Sequence, residues 1–172
     1  AEKAAWEIAE AQDQWTMTTI NPGFIVGPAT AAQQSSESFA IIRQAGDGTM
    51  KQGTAPAEIG MVDVRDVAEA HLRAAFVEGA SGRYITCHKT LSFLEIGQSL
   101  AASFGDEWPF PKRAMPKWLM WLVGPMVSPA FSRKMISNNM NYPWRFDNSK
   151  IRNELGMEFG SIDVALKDMF QQ

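Results

Sequence analysis

Cysteine is almost missing from this 172-residue sequence, which holds Cys87 alone. An intrachain disulfide is excluded, as are four-cysteine zinc spacing and a Cys-x-x-Cys redox motif, and a reducing cytoplasm is the expected setting. Basic residues are not in excess either. The 16 Lys and Arg stand against 19 Asp and Glu, for a net charge of −3 and a pI near 5.4. No basic stripe exists to neutralise phosphates, so a nucleic-acid partner is excluded. Long apolar runs are lacking too. The longest, Trp118 to Val127, falls well short of the roughly 20 residues of a spanning helix, so no membrane span is expected. With Pro125 and Pro129 interrupting its pattern, it reads as a lid or core helix rather than an interfacial one. Ala1-Glu2-Lys3 runs directly into an amphipathic repeat, without the basic and apolar regions of a secretion signal.

What is present suits a globular α/β chain: 45% hydrophobic and 20% charged residues. Ala1, Ala4, Ala5, Ile8, Ala11 and Trp15 recur at helical spacing, and the repeat begins at residue 1 without an N-cap, as expected of a chain cut upstream. Thr16 to Ile20 reads as a strand, Asn21-Pro22-Gly23 interrupts it, and Phe24-Ile25-Val26 is a second short apolar run. Ser35-Ser36-Glu37-Ser38 offers several caps for a helix through Ile42 and Ala45, and Asp47 to Ile59 reads as polar and irregular. Met61 to Val64 is a buried strand, Asp66 the cap of a helix carrying Val67, Ala70, His71, Ala74 and Ala75 on one face, and Arg83 to Cys87 a third strand. Ser92-Phe93-Leu94-Glu95 has capping-box spacing. Beyond Pro116 the pattern is helical, with stops at Leu155-Gly156 and a last helix after Ser161. Three strands joined by helices predict a thin parallel sheet with an open edge, which a second copy could cover to make a homodimer.

Three segments, Asn21-Pro22-Gly23-Phe24-Ile25-Val26-Gly27-Pro28, Met61-Val62-Asp63-Val64-Arg65-Asp66-Val67-Ala68-Glu69-Ala70-His71 and Gly82-Arg83-Tyr84-Ile85, resemble in order and spacing the landmarks of extended short-chain dehydrogenases. Within this epimerase/dehydratase superfamily the chain is most similar to the dihydroflavonol 4-reductase and aldehyde (carbonyl) reductase branch. Ala1 to Glu7 resembles the helix after that branch's catalytic Tyr-x-x-x-Lys, and Pro143 to Lys150 resembles its tail. The resemblance covers nearly the whole chain and implies the C-terminal part of a Rossmann-like doubly wound fold plus a small, mainly helical substrate domain. As domains, residues 1–172 are expected to be one compact partial unit. Residues 1–90 would end the dinucleotide-binding fold, interleaved with substrate-domain segments, and 91–172 would be mainly substrate domain and C-terminal helices.

The same resemblance implies an NADP- or NAD-dependent reductase of small carbonyl compounds. It places Pro22, Gly23 and Ile25 against the nicotinamide and a serine, Ser38 or else Ser36, on the cofactor. The family's glycine-rich turn, catalytic Ser or Thr, Tyr and Lys have no counterpart in this sequence, so catalysis by the chain alone is not expected and no catalytic residue is assigned. Neither Tyr84 nor Tyr142 is followed four residues later by Lys.

Plainer readings stand beside these. Pro22 to Ile25 could be a strand-ending turn, and the serines plain caps. Asp63, Arg65 and Asp66 read as a capped helix with a solvated ion pair, His71 and His88 as structural with no metal, and Cys87 as a small buried residue. Met115, Met120, Met126, Met135 and Met140 with Trp118, Trp121 and Trp144 could line a pocket for an aromatic or aliphatic carbonyl compound, or simply pack a core. Two rival functions remain: a nucleotide-sugar epimerase or dehydratase on the same fold, and a non-catalytic binding or assembly module.

Overall fold

The first helix, α1 (Glu2–Glu10), is shorter than the repeat to Trp15 predicts, and Gln12 is the reason. Its amide nitrogen donates to the carbonyls of Ala9 and Trp15 at 2.9 and 2.7 Å, and its side-chain oxygen accepts from the backbone of Gln14 and Trp15. These bonds replace the next helical turn. The computed structural model describes residues 1–30, 36–127, 129 and 131–172. After α1 come β1 (Thr18–Pro22), β2 (Phe24–Val26), α2 (Glu37–Gly46), β3 (Glu58–Asp63), α3 (Val64–Phe76), β4 (Gly82–Thr86) and β5 (Lys89–Ser92). Helices follow: α4 (Phe93–Phe104), α5 (Lys117–Val127), α6 (Arg133–Asn139), α7 (Ser149–Leu155) and α8 (Ile162–Phe170).

The class is α/β, as expected, but the strands are arranged otherwise than predicted. Among the described residues there are five, in two sheets. β1 pairs in parallel with β4, Ile20 opposite Tyr84 and Pro22 opposite Thr86. β3 is the middle strand of the second sheet, parallel to β2 and antiparallel to β5. The antiparallel β5 escapes the sequence pattern because it is short, polar and buries only Leu91 fully. No strand among the described residues covers the other edge of β1.

Helices pack each sheet through separate apolar clusters. Ile42 and Ala45 of α2, Ile96 and Leu100 of α4, and Ile162, Leu166 and Met169 of α8 close over Val26, Met61 and Leu91 of the second sheet. Ala70 of α3 and Ile151 and Leu155 of α7 close over Ile20 and Tyr84 of the first. A third cluster joins Met120 of α5 to Ile136 of α6 and Met140.

Several helix ends follow the sequence. Ser92 and Glu95 make the reciprocal capping box, and Gly156 ends α7 in the left-handed region at φ 62°. The cap of α3 does not: Asp63, not Asp66, accepts from the Arg65 N–H at 2.8 Å and starts the helix. Pro125 does not stop α5, because it lies near the C-terminal end and the helix needs only to reach Val127. His71 and Ala75 turn outward, so the buried stripe of α3 is narrower than predicted. Ser35, a candidate cap of α2, lies outside the described residues; Ser36 holds that position and accepts from the Phe39 N–H.

The two sheets meet at a pair of glycines. The chain passes from β1 to β2 at Gly23, whose N–H extends the first ladder to Thr86 O at 3.0 Å. It passes from β4 to β5 at Cys87 and His88, where the His88 N–H bonds Met61 O at 2.8 Å. A Cβ on Gly23 would overlap the carbonyl oxygen of Gly60, and a Cβ on Gly60 would overlap the Phe146 ring and crowd the Cys87 sulfur. Only glycine lets these backbones touch. Gly23→Ala should therefore lower the unfolding free energy by about 2 to 3 kcal/mol in urea titrations. Gly160→Ala, where the new carbon would meet only the Asp66 carboxylate at 3.6 Å, should stay within about 1 kcal/mol of the parent.

Candidate functional site

The segment from Pro22 to Ile25 lies at this junction. Phe24 and Val26 point into the core of the second sheet, so the alternation of strand side chains sends the half-buried Ile25 to the opposite face. Pro22 ends β1, exposed and without an N–H to offer. Gly23 has a packing role that the sequence does not disclose: the space beside its α-carbon is filled by Gly60.

Buried polar atoms lie on both faces of the first sheet, Thr86 on the face of Ile20 and Tyr84, Thr19 and Asn21 opposite. Thr19 Oγ1 and Asn21 Oδ1 on β1 and Thr86 Oγ1 on β4 are buried and have no hydrogen-bond partner among the described residues. Ile20 packs with Tyr84 on one face of the first sheet, so Thr19 and Asn21 face the other. Sequence reasoning missed both, because Thr and Asn at a strand end give no signal apart from turn propensity. Ser38 stands apart on the first turn of α2, its hydroxyl 3.1 Å from that of Ser36. Ser36 is the structural cap, which leaves Ser38 as the hydroxyl without a capping duty. The junction thus presents Pro22 and Ile25 as its outward apolar side chains. No glycine-rich helix start for a pyrophosphate accompanies it among the described residues.

The remaining titratable candidates are committed elsewhere. Asp63 is only 2% exposed and forms a two-oxygen ion pair with Arg65, which also reaches Asp168 at 3.0 Å. The expected ion pair is thus buried on its acidic side rather than fully solvated. Asp66 accepts from the Gly160 N–H at 3.0 Å, and burial raises its carboxyl above the ordinary value. Tyr84 is fully buried, donates to Glu154 at 2.7 Å and accepts from the Ser81 N–H, and burial together with Glu154 raises its pKa. A proton donor near neutrality needs the reverse. Cys87 is buried and its thiol pushed up by burial, as suits a packing residue. The His71 ring bonds Val67 O at 2.8 Å, and no group of metal-ligating side chains occurs among the described residues.

His88 stacks on Phe159, ring centroids 5.4 Å apart, and its imidazole is held below the ordinary value by burial and then by Arg152. The unfolded chain therefore takes up this proton first, so stability falls as the pH drops through about 6.5. Between pH 7.5 and 5.5, urea unfolding should show a larger loss for the parent than for His88→Phe, which keeps the stacking and removes the titration.

The methionines predicted as pocket or core do both. Met115, Met120, Met135 and Met140, joined by Met50, line a cavity of about 380 Å³ between the apolar cluster of the second sheet and that of α5 and α6. Met126 does not join them, being 88% exposed, and neither do Trp118, Trp121 and Trp144. No helix among the described residues is long and apolar enough to cross a membrane.

The sheets, their helical cover and the Pro22 to Ile25 segment make this an α/β fold of the Rossmann-like kind, comprising the later strands and the helical region that follows them. No family model matches the sequence. The chain is 29% identical over 168 residues to cinnamoyl-CoA reductase 2 of Medicago truncatula, covering 98% of this chain and 43% of that one. Among solved structures it resembles Gre2 of Candida albicans in complex with NADPH (TM-score 0.67, 24% identity, 99% of this chain and 48% of that one). It also resembles vestitone reductase of alfalfa, Medicago sativa (TM-score 0.69, 21% identity, 99% and 47%). The expected likeness to the extended short-chain dehydrogenase/reductase superfamily thus holds over nearly the whole chain, which spans less than half the length of the curated relatives it matches.

Proposed function

We propose that these residues form the C-terminal portion of an NADPH- or NADH-dependent reductase of small aldehydes, ketones or dihydroflavonol-like carbonyl compounds. The observation that carries this reading is the similarity, over 98% of the chain, to a protein named cinnamoyl-CoA reductase 2. The Pro22 to Ile25 segment supports it. In this reading Pro22 and Ile25 face the nicotinamide, Gly23 sets their position by packing on Gly60, and Ser38 reaches the cofactor from α2. Residues 1–90 complete the dinucleotide-binding fold and residues 91–172 supply most of the substrate domain. The open edge of β1 receives the strand that precedes it in the whole fold. A cytoplasmic setting agrees with the single buried thiol.

The proton donor, its lysine and the pyrophosphate cradle come, in this reading, from another part of the protein. The chain assayed alone with NADPH and a panel of aldehydes and ketones should give no turnover above a protein-free control, and turnover would overturn the division of labour. Joined to its natural upstream coding sequence, it should oxidise NADPH with at least one carbonyl compound. There Ile25→Ala should raise the KM for NADPH about fivefold, the loss of roughly 1 kcal/mol of apolar contact, with little change in kcat. For the isolated chain, light scattering at high concentration should find a homodimer paired through β1, and a strictly monomeric species would count against the open edge as a pairing surface.

A further inference from the structure

The outer face of α5 is as apolar as its inner one. Met120 and Gly124 point inward, while Trp118, Trp121, Leu122, Pro125 and Met126 recur at the spacing of a single helical stripe and are all exposed. A surface helix normally turns such a stripe to the core and its charged residues to water. Here the stripe that faces water has no polar member, with Trp118 69% and Met126 88% exposed.

Positive charge collects beside it. Between Trp108 and Phe146 lie six of the sixteen basic residues and none of the nineteen acidic ones, in a chain whose net charge is −3. Three of the six serve the fold: Lys117 donates to Ser137 O and Met140 O, Arg113 donates to Gln52 O, and Lys112 faces Asp106. Arg133 and Lys134, by contrast, are exposed and join no ion pair among the described residues. They stand in the first turn of α6, the end where the helix dipole favours anions, so helix stability does not account for them. The Arg133 guanidinium lies 4.7 Å from the centre of the Trp121 ring, which sets the two cations at the edge of the stripe.

We infer that this face docks on a bilayer surface containing anionic lipid, with α5 lying in the plane of the interface. Tryptophan favours the boundary between headgroups and acyl chains, and Arg133 and Lys134 supply the attraction to lipid phosphates. With 11 residues α5 is about 16 Å long, roughly half the hydrocarbon thickness, so it rests on the membrane and does not cross it. In sequence Pro125 interrupts the pattern and favours a lid or core helix; in the fold the helix continues to Val127 and Pro125 joins the exposed stripe. A second copy suits this face less well, because a two-fold contact would set cations against cations with no acidic residue nearby in sequence to balance them. The upstream part of the fold, in the reductase reading, joins at β1 in the first sheet, whereas α5 and α6 pack beside the second.

The test is cosedimentation of the chain with sucrose-loaded vesicles, of phosphatidylcholine alone or of equimolar phosphatidylcholine and phosphatidylglycerol. Binding should require the anionic lipid, weaken in high salt and shift the tryptophan emission to the blue. Arg133→Gln combined with Lys134→Gln should weaken it about 25-fold, about fivefold for each cation withdrawn. Trp118→Ser combined with Met126→Ser should weaken it about tenfold. Phe76→Ser, which removes a side chain 84% exposed on α3, should leave it unchanged. All five side chains are exposed, so the variants keep the fold of the parent. Equal binding to the two kinds of vesicle, no binding to the anionic ones, or an equal loss in Phe76→Ser would overturn the inference. So would a dimer in lipid-free solution that Trp118→Ser with Met126→Ser dissolves, since the occupant would then be a second copy. No cofactor or carbonyl compound enters the measurement, so failure to dock and failure of the reductase reading are separable outcomes.

Discussion

The contact of Gly23 with Gly60 is the constraint on which the rest of this structure turns. Two chain crossings, from β1 to β2 and from β4 to β5, occur at one point, and the middle strand β3 runs beneath them. Backbones can approach this closely only where neither carries a Cβ, and the sulfur of Cys87 and the ring of Phe146 close the remaining space. The first sheet, with α3 and α7, and the second, with α2, α4 and α8, are thereby held in a single relation although their apolar clusters are separate. The segment just after this contact sends Ile25 away from the core. The packing of two glycines thus positions a residue that faces a ligand in the proposed reading.

Polar groups here fall into two kinds. Asp63, Arg65, Tyr84 and Glu95 are satisfied within the fold: they start helices, tie α3 to α8 and anchor α7 to β4. A second kind, on Thr19, Asn21, Thr86, Thr54 and the Nδ1 of His88, is buried with no partner among the described residues. The satisfied groups explain stability. The others are spread over both faces of the first sheet, the His88 ring stacked on Phe159 and the 54–57 segment.

Methionine and tryptophan divide along a similar line. Both are abundant after Pro116, and a linear pattern groups them together. In the fold, α5 turns Met120 and Gly124 inward and leaves Trp118, Leu122, Met126 and Val127 at the surface. Gly124 lets α6 and Phe131 come close, which brings Met135 and Met140 to the same cavity as Met120.

Alternating strand and helix signals, the capping box at Ser92, the left-handed stop at Gly156 and the ordered landmarks from Asn21 to Ile85 are local features, and the sequence by itself determined them. Each depends on backbone propensities and hydrogen bonds within a few residues. It likewise sufficed for the α/β class and the superfamily. Tertiary structure alone decided that the three apparent strands are five in two sheets, because the one-residue crossing at Gly23 looks like an interruption until Gly60 is set against it. It decided that Asp63 rather than Asp66 starts α3, since both have the right chemistry and only the strand's end point chooses between them. The burial of Thr54, in a stretch that reads as irregular, was invisible for the same reason: it depends on the backbone bonds of its N–H and carbonyl to residues 113 and 115, far along the chain.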